Sequence, residues 1–103
     1  MAGFITNRAF LLNAKSEYIL PFAGGTIIMS TSNLQSAAAV VSFPMYGNTA
    51  ANVFSFSGDV FIGGDVTTAN KMACWSADGK SYIRNNFSSN MIMVYTELAV
   101  KKE

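Results

Sequence analysis

The side chains of this chain that could do chemistry are few: one cysteine, six carboxylates and no histidine. Without histidine the commonest general base is missing, and with it the Ser-His and Cys-His dyads and most zinc and iron sites. Cys74, the lone cysteine, can form no intrachain disulfide and reads as a small buried apolar residue. Asp59, Asp65 and Asp78 each adjoin a glycine, where aspartate is expected for turn geometry alone. A hydrolase would need two of Asp59, Asp65, Asp78, Glu17 and Glu97 to meet in one cleft, and no sequence spacing encourages that. Ile62-Gly63-Gly64-Asp65 faintly resembles one element of a calcium-binding glycine repeat but occurs once. Gly24-Gly25 and Gly63-Gly64 lack the spacing and the following helix of a phosphate loop. The expectation is therefore a chain that is not an enzyme, with no catalytic residue, metal or cofactor.

Chemistry of recognition is better supplied. Asp78-Gly79 provides the positive φ angles of a type I′ turn, whose twist suits two flanking strands. With that two-residue loop, Ala77 faces Lys80, Trp75 faces Tyr82, and Ala73 faces Arg84. Side chains alternate along strands, so Met72, Cys74, Ser76, Ser81 and Ile83 share the other face. Trp75 and Tyr82 offer a flat apolar platform, with Lys80 and Arg84 as donors to hydroxyls or carboxylates. That set suits a saccharide or a protein epitope. The competing reading is a core tryptophan with tyrosine stacked on it, and the sequence leaves both open.

The elements that must position these residues are short β-favourable runs: Phe10 to Leu12, Glu17 to Phe22, Thr26 to Ser30, Val53 to Ser57, Val60 to Ile62, Met72 to Ser76, Ser81 to Arg84 and Met91 to Leu98. Turn signals punctuate them at Gly24-Gly25, Gly47-Asn48, Gly58-Asp59, Gly63-Gly64-Asp65, Asp78-Gly79 and Asn85-Asn86. Helical propensity is confined to Asn33–Val41, and a strand from about Ala38 to Phe43, ended by Pro44, fits better. A three-residue loop at Ser57-Gly58-Asp59 would make a second hairpin, with Phe54, Phe56, Val60 and Ile62 on one face. Many short strands so punctuated predict an antiparallel all-β fold: a β-sandwich, a barrel or a jelly roll.

The chain of 103 residues forms one domain, with 50% hydrophobic and only 13% charged residues. So little charge on so small a domain leaves apolar surface facing outward, and such surface often becomes a subunit interface. The net charge is +1 and no cationic run exceeds Lys101-Lys102, so nucleic acid is not an expected partner. No apolar run approaches the ~18 residues of a membrane helix, and Asn7, Arg8 and Asn13 interrupt any signal-peptide pattern. The last strand is apolar on both faces: Met91, Met93 and Tyr95 on one, Ile92, Val94 and Leu98 on the other. One face meets the core and the other needs a cover, either another segment of the chain or a second copy. Met91, Met93 and Tyr95 are the candidates for that contact between copies.

Ile19-Leu20-Pro21-Phe22-Ala23-Gly24-Gly25, followed by Val40-Val41-Ser42-Phe43-Pro44-Met45-Tyr46-Gly47-Asn48, resembles the opening of the C-terminal domains of bacterial and phage collagen-like surface glycoproteins. Separately, Met91-Ile92-Met93-Val94-Tyr95-Thr96 and the Gly- and Asn-rich texture resemble receptor-binding heads of phage tail fibres. The first resemblance implies a trimeric jelly roll like that of tumour necrosis factor. Both imply a surface-exposed, self-associating β-sandwich, and the expected function is a structural and adhesive module, a homotrimeric head on a virion or cell surface that contacts a glycan or protein. The alternative is a monomeric lectin-like or inhibitor module that uses the aromatic platform.

Overall fold

The structure, a computed structural model, describes residues 6–31 and 37–102. Ten strands run through them: β1 (Thr6–Leu12), β2 (Glu17–Leu20), β3 (Gly25–Thr31), β4 (Ala38–Phe43), β5 (Thr49–Ala50), β6 (Asn52–Ser57), β7 (Phe61–Gly63), β8 (Met72–Ala77), β9 (Lys80–Asn85) and β10 (Met91–Val100). They form two sheets. The first has the order β1-β10-β3-β4-β6, and the second β2-β9-β8-β5 with β7 also on β8. Every pairing is antiparallel except β7 with β8. The chain is an all-β sandwich. The expected strand from Ala38 to Phe43 is β4, while part of the helical stretch, residues 32–36, lies outside the described residues.

Period-two alternation decides what fills the space between the sheets. Ile27 and Met29 of β3, Ala39, Val41 and Phe43 of β4, and Met72, Cys74 and Ile83 of the β8–β9 pair are all buried. Burying side chains of this size favours folding by about 1.5–3 kcal/mol each. Phe22, between β2 and β3, sits edge-on to both Phe43 and Tyr95 at 5.8 and 6.1 Å, the arrangement favoured by ring quadrupoles.

The hairpin expected at Ser57-Gly58-Asp59 does not form. Gly58 has φ +68 and the chain does turn there, but β6 pairs with β4 in the first sheet and β7 with β8 in the second. The segment thus crosses between layers. Phe54 and Phe56 point outward from the first sheet and Phe61 is buried in the core, so Phe54, Phe56, Val60 and Ile62 share no common face. The crossing brings β7 so close to the chain before β6 that a Cβ on Gly63 would lie 2.1 Å from the Ala51 carbonyl oxygen.

One buried amide ties three segments together. Asn85 is fully enclosed; its Nδ2 donates to the carbonyls of Leu12, Asn13 and Ser89 at 3.1, 3.3 and 3.0 Å. Its Oδ1 accepts from the Phe87 amide at 2.8 Å. The end of β9 is thereby fixed to the β1–β2 connection and to the turn leading into β10.

Candidate functional site

The β8–β9 hairpin is built as its turn dictates. Asp78 and Gly79 have φ 53 and 74, and the register pairs Ala77 with Lys80, Trp75 with Tyr82 and Ala73 with Arg84. Cys74 and Ile83 face the core, so Trp75, Tyr82, Arg84 and Lys80 stand on the side of the second sheet turned away from it. The Trp75 and Tyr82 rings are stacked at 5.2 Å and 5°, and the Arg84 guanidinium lies 5.2 Å from the Trp75 ring centre. Arg84 is held in turn by Asp65 at 2.9 Å and by Glu17. A cation so fixed over an indole face adds electrostatic attraction to the stack.

This packing changes what Trp75 can offer. It is only 6% exposed, because Tyr82 and Arg84 lie against it and β5 runs alongside, pairing Ala50 with Trp75. Trp75 is neither a core residue nor an open platform. It contributes instead to a cleft of about 270 Å³ lined by Asn48, Thr49, Ala50, Asp65, Ala77 and Asp78. An indole edge beside two carboxylates, an amide and a hydroxyl provides acceptors and donors for sugar hydroxyls. Lys80 is exposed near the hairpin turn. The two-residue β5 and the Asp65–Arg84 ion pair carry no periodic signal in the sequence, and the sequence reading missed both.

The expected contact residues of the last strand lie elsewhere than supposed. Met91, Met93 and Tyr95 are buried in the core, because β10 is central in its sheet and turns that side toward the second sheet. They are not available to a second copy. Glu97, on the same inward side, is buried and paired with Lys102 at 2.7 Å and Arg8 at 3.8 Å, which offsets its desolvation. Burial pushes the Cys74 thiol up to about 12, so it is no nucleophile near neutral pH. The Tyr95 phenol is also pushed up to about 12, by burial first and then by the Glu97 charge.

The opposite side of the first sheet is where the apolar surface is exposed. Leu11, Phe54 and Phe56 are 58%, 68% and 57% exposed, accompanied by Ile92 and Val94. Pairing aligns Leu11 with Ile92, Ala9 with Val94, and Val40 with Phe54. No Asp, Glu, Lys or Arg occurs among the described residues that point this way. Two pairs of its polar side chains bond to each other: Thr96 donates to Asn7 at 2.6 Å and Thr26 to Ser42 at 3.2 Å.

Fold and surface together define a β-sandwich with one charge-free face and one face carrying paired aromatics and charges. Comparison with protein-family models, with curated proteins and with solved structures finds no match to this chain. Among the described residues no helix is long and apolar enough to cross a membrane, and no three His, Cys, Asp or Glu side chains group to hold a metal ion.

Proposed function

We propose that the chain is a structural and adhesive module in which copies associate through the charge-free face of the first sheet, leaving the charged surface elsewhere on the sandwich to contact a surface glycan or protein. The observation that carries this reading is the lack of any charge among the described residues of that face, beside five large exposed apolar side chains. At about 200 Å² for a side chain of this size, their exposed parts come to on the order of 500 Å². A standard interface takes ~800 Å² from each partner, so the face supplies most of what a stable contact needs before its half-buried residues are added. A second copy suits it better than a charged partner, since there is no charge to complement. Its mutually bonded hydroxyls and amide also lower the desolvation penalty of closure.

The arrangement proposed is a homotrimer on a virion or cell surface, as the tumour-necrosis-factor-like resemblance implies. Sedimentation equilibrium at micromolar concentration tests the reading. The expected mass is that of a trimer, reduced to a folded monomer by Phe54→Ser with Phe56→Ser; a clean monomer of the unmodified chain defeats it. The Trp75 cleft favours a second reading, a monomeric lectin-like module. In that case a monomer binds neutral oligosaccharide and loses it in Asn48→Ala with the fold retained.

A further inference from the structure

We infer that the glycan recognised is acidic, and that its carboxylate is received by Arg8, Lys80 and Lys102 along the β1–β2 side of the sandwich; this rests on the glycan-contact part of the proposal above. These three cations line an open cleft of about 530 Å³ whose apolar floor is Ile19, Leu20 and Pro21. Volumes of this order are typical of small-molecule sites. Arg8 comes from the edge strand of one sheet, Lys80 from the hairpin of the other, and Lys102 from the residues after β10. Three of the seven cations in the chain, far apart in sequence, are thus gathered by the fold at one concavity.

Their charge is only partly spent. Glu97 beneath them takes both oxygens to Lys102 at 2.7 Å and approaches Arg8 at 3.8 Å. Lys80 has no carboxylate partner among the described residues. Three cations against one carboxylate leave the cleft electropositive. Glu97 also fixes Arg8 and Lys102 in position, so that less freedom is lost when an anion arrives. The apolar floor suits the carbon face of a pyranose ring. Arg8 and Pro21 also line an adjoining cleft of about 360 Å³ bordered by Phe10 and Tyr18, whose rings stack at 4.1 Å.

Other anions fit less well. A nucleic acid presents closely spaced phosphates and binds by releasing many counterions, for which three cations are too few. A membrane surface is broad and flat, whereas these cations line one shallow, open concavity.

The test is an amide-resolved NMR titration of the whole chain with 3′-sialyllactose and with trigalacturonate, beside the methyl ester of trigalacturonate and sodium sulfate. The acids are expected to shift amides at Arg8, Ile19 and Lys80 and to bind at least tenfold tighter than the ester. Lys80→Gln, at an exposed site, should keep the dispersed spectrum and weaken the acids about five- to tenfold. Equal binding of acid and ester, equal competition by sulfate, or failure of both acids overturns the inference. A neutral sugar that instead shifts the Trp75 cleft overturns it while leaving glycan contact intact. If no saccharide binds anywhere, glycan contact falls too, and the sedimentation result stands apart from either.

Discussion

Replacing Asn85 by alanine removes the amide that joins the β1–β2 connection, the end of β9 and the turn into β10. Its Nδ2 serves three carbonyls and its Oδ1 one backbone amide. A buried polar group left without a partner costs about 1–3 kcal/mol. The Leu12 carbonyl lies in the buried part of this network, while those of Asn13 and Ser89 can regain water. The summed loss is therefore about 3 kcal/mol, a large share of the 5–15 kcal/mol that holds a typical domain folded. Asn85→Asp should cost more, since a carboxylate oxygen would face three carbonyl oxygens. Asn86→Ala supplies the scale: its side chain donates to the Val66 carbonyl alone at 2.9 Å, so about 1 kcal/mol is expected. Urea unfolding followed by Trp75 emission and far-ultraviolet circular dichroism reads all three variants. For a slope of roughly 1–1.5 kcal/mol per molar urea, Asn85→Ala should lower the midpoint by about 2–3 M. A loss no greater than that of Asn86→Ala would refute the reasoning.

Two further predictions concern backbone and protonation. Gly63→Ala should destabilise by more than about 2 kcal/mol, since its Cβ would lie 2.1 Å from the Ala51 carbonyl oxygen; Gly79→Ala, with nothing within 4 Å and φ +74, should lose only about 1–2 kcal/mol from its backbone conformation. Equal losses in thermal unfolding would mean that the close approach of β7 is not what Gly63 serves. Stability should also fall in alkali. The Cys74 thiol ionises near 9 when unfolded and near 12 when native, so between these values the unfolded chain binds fewer protons and stability drops by about 1.4 kcal/mol per pH unit. Tyr95 acts in the same direction between 10 and about 12. Urea midpoints unchanged from pH 8.5 to 11, or rapid thiol labelling of the native chain at pH 8, would contradict this.

The sequence announced most strongly those elements whose cause is local. Asp78-Gly79 dictates its own turn, and the turn fixes the register of β8 and β9, so the meeting of Trp75 and Tyr82 was legible in full. The covering of Trp75 was not, because Arg84 is brought over it by Asp65 and Glu17 from other segments. At Gly58 the turn was legible and its partner was not: sheet membership depends on what β4 and β8 offer, which no neighbour of Gly58 encodes. In β10 the apolar pattern on both sides identified the strand without choosing its inward face. The register decides it: Met93 stands beside Phe10 and Tyr95 beside the buried Met29 on the side turned to the second sheet, and Glu97 is tolerated on that side because Arg8 and Lys102 reach it.

Because β10 fills the gap between β1 and β3, a chain emerging from the ribosome holds two facing strand edges apart until Met91–Val100 has emerged. Neither edge can be satisfied by anything made earlier without abandoning the native order. Such a chain folds late, through contacts between distant segments, and its open seam can capture the last strand of a neighbour as readily as its own. Crowded synthesis on one messenger would thus favour exchange of this strand between newborn copies.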